Sequence, residues 1–275
     1  MKKNMFLGAF FVFLCASVHA QSAFRIFVEQ NGGNLTIIRS EGTTKELTIP
    51  ESINDMPVTI IGEGAFTGKG LTKVTIPDSV VEIAEAAFSW NELSTLVIGN
   101  NVETIGQSAF ASNKIKDLTI GTGVLTIGMG AFMNNELEEL AIPESVTSIG
   151  AYAFFNNKLR DLTVPNAVVD IGEGAFSTNR IYRVVIGTSV EAIGDGAFYN
   201  NQLTSIGIPA SLQDLGERVF ESRLTRRGGT AQVDYMYEDG ELILTTANNF
   251  DTYYATTGKR AGTYTFSRDG WAYEE

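Results

Sequence analysis

Asp117, Glu139 and Asp161 recur 22 residues apart, and Arg183 follows at the same interval. Carboxylates brought together by such a repeat have a short list of uses. They can hold a cation, receive a basic ligand, or form a solvated acidic face. A pair such as Glu139 and Asp161 is also the minimal equipment of a glycosidase. Other chemistry is largely excluded. The chain has one histidine, His19, and one cysteine, Cys15. Both fall in a segment that reads as a removable leader. Without them there is no zinc site of the usual kind, no thiol nucleophile, no Ser-His-Asp triad and no disulfide. Calcium is the one cation that a carboxylate row would suit, and no other cofactor is expected. No glycine-rich phosphate loop supports a nucleotide role.

The leader is residues 1–20. Lys2 and Lys3 form a basic start, Met5 to Val18 is mostly apolar, and Val18-His19-Ala20 fits a small-x-Ala cleavage site. The apolar run is too short for a spanning helix. Leu14 stands before Cys15 where a lipid anchor would need a small residue. Cleavage would begin the mature chain at Gln21 and place it outside the cytoplasm, as a secreted, periplasmic or surface protein. The full chain carries 20 Lys+Arg against 32 Asp+Glu, a net charge of −12; loss of Lys2 and Lys3 leaves 18 against 32, or −14. Such a surface repels phosphate backbones, so no nucleic acid partner is expected. No integral membrane segment is expected either.

The carboxylates are positioned by a repeat. Phe66, Phe88, Phe110, Phe132, Phe154, Phe176, Phe198 and Phe220 are evenly spaced, each closing Ile-Gly-x-x-Ala-Phe or a near copy. A fixed period of this length predicts a solenoid whose units cannot bury their apolar faces alone. Leu93-Ser94-Thr95-Leu96-Val97-Ile98 and its copies predict a short strand with one buried face. Pro or Gly ends it, as at Pro77, Gly99 and Pro143. The hexapeptide predicts a helical turn, because its isoleucine and alanine are four apart. Its glycine is replaced once, by Ala84, so the position needs small volume rather than positive φ. Asn91, Asn113, Asn135, Asn157, Asn179 and Asn201 predict a ladder that ends each turn in the left-handed conformation and bonds backbone between coils.

The pattern Leu-x-x-Leu-x-Ile-Pro-x-x-Val-x-x-Ile-Gly-x-x-Ala-Phe-x-x-Asn resembles the BspA-type leucine-rich repeats of exported bacterial proteins. The resemblance covers about Thr44 to Leu224. It implies an α/β solenoid with a parallel sheet on one face and short helical turns on the other. It also implies a surface role in adhesion or host matrix binding. This chain has asparagine where many such repeats have cysteine. The expected organisation is a signal peptide at 1–20, a β-hairpin cap at 21–43, about eight coils over 44–224, and a β-rich cap with further hairpins at 225–275. That last segment either closes the stack or binds a glycan through its tyrosines.

On the strands, the third place reads Lys73, Thr95, Asp117, Glu139, Asp161, Arg183, Ser205. The fifth place reads Thr75, Val97, Thr119, Ala141, Thr163, Val185, Gly207, which predicts a flat floor without a pocket. The third-place lane is the first candidate ligand surface, with Lys116 and Arg160 as nearby screening charges. A second candidate is the patch of Met129, Met133, Tyr152 and Phe155 on the turn side, with Trp90 and Tyr199 in comparable positions. Three function classes remain: a module that binds a protein or glycan, a structural scaffold of the envelope, and a carboxylate glycosidase. The first is the reading adopted, with no enzymatic activity.

Overall fold

The computed structural model describes residues 9–13, 24–220 and the strands Thr225–Arg226, Gly229–Thr230, Tyr237–Glu238, Glu241–Leu242, Gly262–Ser267 and Gly270–Glu274. The cleavage site Val18-His19-Ala20 and Val233 to Met236 of an expected hairpin lie outside the described residues. The chain divides into two compact units, Met1–Leu137 and Glu138–Glu275. Each is a β-solenoid built from coils of about 22 residues, some eight in all.

In the first unit, the strands Glu46–Thr48, Lys73–Thr75, Thr95–Val97 and Asp117–Thr119 form one parallel sheet. Their middle residues Leu47, Val74 and Leu96 are buried and Leu118 is half-buried. A second sheet runs through Met56–Ile61, Glu82–Ile83, Thr104–Ile105 and Thr126–Ile127. Arg25–Asn31 and Asn34–Glu41 form an antiparallel hairpin, and Asn34–Glu41 joins this second sheet in parallel with Met56–Ile61. Ala9–Phe13 pairs antiparallel with Arg25–Asn31. In the second unit, Asp161–Thr163, Arg183–Val185 and Ser205–Ile208 are parallel, and Gly262–Ser267 and Gly270–Glu274 continue that sheet antiparallel. Its other sheet holds Ser148–Ile149, Asp170–Ile171, Ala192–Ile193 and Asp214–Leu215.

One strand of the repeat is missing. Leu137 to Ile142 carries the same apolar pattern as the strand-forming segments, yet Glu138–Ile142 forms no strand. Its middle residue Leu140 is half-buried, like Leu118, where Leu96 and Leu162 are buried.

The helical turn does not form either. Among the described residues there is no helix. The fourth residue of the hexapeptide has positive φ in every coil: Gly64 at 58°, Ala86 at 53°, Ser108 at 52°, Gly130 at 60°, Tyr152 at 56°, Gly174 at 56°, Gly196 at 57° and Arg218 at 55°. A left-handed residue ends a right-handed helix before it starts. Two tight turns replace it, closed by Ala65 N–H donating to Gly62 O at 3.2 Å and Thr67 N–H to Gly64 O at 3.1 Å. The remaining N–H groups reach the next coil. Those of Gly64, Phe66 and Gly68 donate to Glu85 O at 2.9 Å, Ala87 O at 2.8 Å and Ser89 O at 3.0 Å. Alternate residues therefore pair as in a sheet.

The glycine that opens the hexapeptide does answer to volume. A Cβ on Gly106 would lie 2.7 Å from Ala84 C, and one on Gly194 would lie 2.6 Å from Glu173 N. Neither glycine has positive φ.

The core is a column of parallel rings. Phe66, Phe88, Phe110 and Phe132 stack with centroids 4.9, 5.3 and 5.3 Å apart, under Phe24 at 6.3 Å. In the second unit Phe154, Phe176, Phe198 and Phe220 stack at 5.4, 5.4 and 5.5 Å. These distances lie in the range that favours aromatic pairs. Beside the rings runs the asparagine ladder. Asn113 Nδ2 donates to Phe88 O of the preceding coil and to its own Phe110 O, at 3.0 and 3.1 Å, while its Oδ1 accepts from Leu93 N–H at 3.1 Å. Asn91, Asn135, Asn179 and Asn201 repeat the pattern. The left-handed residue is the one before each ladder position, such as Trp90, Ser112, Asn134 and Asn200. The ladder asparagines are thus chosen for their amides. Among the described residues Ser79 Oγ is the one buried side-chain polar atom without a partner.

Two stability measurements check this picture. Phe110→Ala removes a ring stacked on both sides and is expected to cost about 3–5 kcal/mol in denaturant unfolding. Ala86→Gly separates the turn from the helix by sign. A helix would lose about 1 kcal/mol from that change. The left-handed turn is expected to gain up to about 1 kcal/mol, because glycine adopts its φ without strain.

Candidate functional site

Within each unit, strand register sets no two third-place carboxylates side by side. Strand register sets Asp117 beside Thr95 in the first unit, with Thr95 Oγ1 3.5 Å from Asp117 Oδ2. In the second unit it sets Asp161 beside Arg183. Glu139 lies off the strands, exposed, in the segment that leaves the repeat. The structure therefore brings Glu139, Asp161 and Arg183 into one unit and places Asp117 in the other.

Asp161 is the hub of this region. Arg183 Nε donates to Asp161 Oδ1 at 2.9 Å, and the Tyr182 hydroxyl donates to Asp161 Oδ2 at 2.5 Å. The tyrosine hydrogen bond, with the arginine bond and charge behind it, holds the Asp161 carboxyl below the usual carboxylate range. The same bond raises the Tyr182 phenol. Arg160 pairs with Glu138 at 3.0 Å. In the first unit Lys116 pairs with Glu136 at 3.7 Å, and Lys114 pairs with Glu92. The screening cations thus serve carboxylates outside the third-place lane.

The sheet face of the second unit is not flat. Glu138, Glu139, Leu140, Arg160, Asp161, Leu162, Thr163 and Tyr182 line an open groove of about 470 Å³. Sequence patterning predicts a floor without a pocket because it assumes a strand in every coil. Here 138–142 forms none, and the groove lies against it. Tyr182 is the residue the lane reading passes over. Its signal is faint but present: its place in other coils holds Thr72, Ser94, Lys116, Glu138, Arg160 and Thr204, all polar, and here an aromatic stands 44% exposed.

Asp161 is poorly suited to be the general acid of a glycosidase pair. A general acid needs a raised pKa. Asp161 is held low and is already engaged by Tyr182 and Arg183. Nor does a metal have a donor set: among the described residues no three His, Cys, Asp or Glu side chains converge.

The turn-side patch falls in two parts. Met129 and Met133 lie in the first unit, Met129 exposed and Met133 half-buried. Tyr152 and Phe155 lie in the second, edge to face at 6.0 Å. The Tyr152 hydroxyl donates to Glu173, which raises its pKa, and the ring covers Gly174 so closely that a Cβ there would clash. Trp90 and Tyr199 are not equivalent. Tyr199 follows its phenylalanine directly and lies beneath Arg218, 4.9 Å from the guanidinium carbon. Trp90 sits one place later, at a left-handed corner, and is 71% exposed.

A family model described as BspA type leucine rich repeat region matches in 6 copies, over residues 40–156 and 103–225. Among solved structures, a leucine rich cell surface protein from Faecalibacterium prausnitzii is 26% identical, with a TM-score of 0.52, over 94% of this chain and 61% of its own. This chain therefore spans less than two thirds of that protein's length. The T. pallidum leucine-rich repeat protein is 25% identical over 67% of this chain and 78% of its own, with a TM-score of 0.47. A leucine-rich repeat protein from Eubacterium ventriosum is 22% identical over 71% and 67%, with a TM-score of 0.41. No curated protein matches the chain.

The hub gives a titration test. A depressed carboxyl pKa means that the bonds to Asp161 stabilise the fold above its unfolded-state pKa. They are lost as pH falls through the lower folded value. Tyr182→Phe is expected to raise the Asp161 pKa more than Arg183→Gln does, because the tyrosine bond is the larger cause. Carboxyl carbon shifts in an NMR titration below about pH 4 read this directly.

Proposed function

The chain belongs to the BspA-type leucine-rich repeat family, and we propose that it is a cell-surface interaction scaffold that binds a protein partner along the sheet face of its second unit. The family and fold are typically non-catalytic, and no enzyme family is indicated. Among the described residues no helix is long and apolar enough to cross a membrane. A surface location is supported by the basic start, apolar run and Val-His-Ala site of the leader, and by the cell-surface description of the F. prausnitzii protein. Adhesion to host matrix is the specific form of this reading.

One observation carries it: the repeat is broken where the groove opens. Solenoids bind along broad surfaces that neighbouring coils build together. Here one coil gives up its strand, a half-buried leucine and an exposed tyrosine border the gap, and ordered ion pairs flank it. A concave surface with a few fixed polar groups is a usual feature of a recognition site. A purely structural role would need only the smooth strand face that the other coils present.

Filling the groove tests the proposal. Residues 21–275 with Thr163→Arg, and a control with Thr119→Arg on the strand face of the first unit, would be compared with the parent chain on immobilised matrix proteins and a glycan array. Thr163→Arg is expected to weaken binding to a matrix protein by about tenfold or more, and Thr119→Arg to leave it unchanged. Equal binding by all three would reject the groove. Binding to no matrix protein, with glycans retained by the parent, would replace the protein partner with a sugar.

A further inference from the structure

We propose that the groove receives a lysine or arginine side chain from an extended peptide segment of the partner, an inference that rests on the interaction reading above. The charges decide it. Glu138, Glu139 and Asp161 face the two cations Arg160 and Arg183, which leaves one negative charge uncompensated. Glu138 is taken by Arg160, and Asp161 by Arg183 and Tyr182. Glu139 has no ion pair or hydrogen bond among the described residues, and it stands exposed at the groove.

The surroundings match the rest of such a side chain. Leu140, half-exposed at the groove, gives a methylene stem an apolar contact, as long cationic side chains require. Tyr182 offers a ring whose hydroxyl is held by Asp161. A cation over such a face is attracted by the ring quadrupole. The groove draws its lining from three coils, at 138–140, 160–163 and 182. At longer range the net charge of −12 steers a basic segment inward and turns an acidic one away.

The probe is a fluorescent 12-residue peptide with lysine at every third position, compared with the same peptide carrying glutamine there. Anisotropy titrations would use the mature chain, Glu139→Gln, and Glu144→Gln, an exposed carboxylate outside the groove. The lysine peptide is expected to bind at least about tenfold tighter than the glutamine peptide, and to weaken as salt rises. Glu139→Gln is expected to weaken it about threefold to fivefold, and Glu144→Gln to change nothing. Equal loss in both variants would mean attraction to the net charge alone and overturns the proposal. So does equal binding of the two peptides, or no binding of either. If the lysine peptide fails while Thr163→Arg still abolishes capture by a matrix protein, the groove remains the docking site and only the cationic ligand is wrong. If both fail, the interaction reading falls with it. Melting curves of Glu139→Gln matching the parent would confirm that a lost signal is not lost folding.

Discussion

The distance between coils governs everything else in this molecule. It is fixed by backbone hydrogen bonds from one coil to the next, as from Gly64, Phe66 and Gly68 to Glu85, Ala87 and Ser89. Those bonds demand a spacing close to that of β-strands, about 4.8 Å. At that spacing, side chains at one repeat place meet their copies face to face. An aromatic ring fits between its copies as a stack, so every coil can use phenylalanine. An asparagine can bridge two coils with one amide. A glycine is needed where backbones close to within a Cβ, as at Gly106 and Gly194. The buried amides are expensive to leave unpaired, about 1–3 kcal/mol for each unsatisfied group. The ladder at Asn91, Asn113 and Asn135 pairs them all, and so locks the register that the rings alone would leave free to slip.

The same spacing explains what could be read from the sequence. The phenylalanine period, the buried strand places and the volume-limited glycine are each consequences of coil meeting coil, and each is written as identity at fixed intervals. The turns are not. Ala86, Ser108, Tyr152 and Arg218 carry no left-handed signature, and the isoleucine-to-alanine spacing fits a helix equally well. What decides is where the N–H groups find acceptors. The next coil offers carbonyls at 2.8–3.0 Å to Gly64, Phe66 and Gly68, and a helix would leave those carbonyls unanswered. Local pattern lost to a tertiary partner. The asparagine was legible for its amide and not for its φ, because the left-handed residue stands one place earlier.

The candidate site was half legible for the same reason. A repeat assigns charges to lanes, and lanes say which residues are neighbours only if every coil keeps its strand. Asp161 and Arg183 keep theirs and meet at 2.9 Å. Glu139 does not, so no strand register sets it beside Asp161. The ion pairs also show how the lane logic continues on the surface. Arg160 with Glu138, and Arg183 with Asp161, join residues one coil apart. Exposed pairs of this kind contribute little to stability. They consume charges that would otherwise make the face more acidic, and leave Glu139 without an ion pair.

A break in a repeat has a cost in hydrogen bonds. Leu140 is half-exposed, but so is Leu118 in an intact strand, so the cost is not one of burial. The segment forgoes ladder hydrogen bonds that Asp161–Thr163 and Arg183–Val185 make. Nothing in the local residues requires this, since Leu137, Leu140 and Ile142 repeat the strand pattern. Where local preference and final structure disagree at one place in an otherwise consistent molecule, function is the usual reason. The gain here is concavity. A smooth strand face offers a ligand contact on one side only, whereas the groove offers side chains of three coils of the second unit. On the proposed reading, Tyr182 and Glu139 meet the partner from different coils, and selectivity rests on the one coil that departs from the repeat.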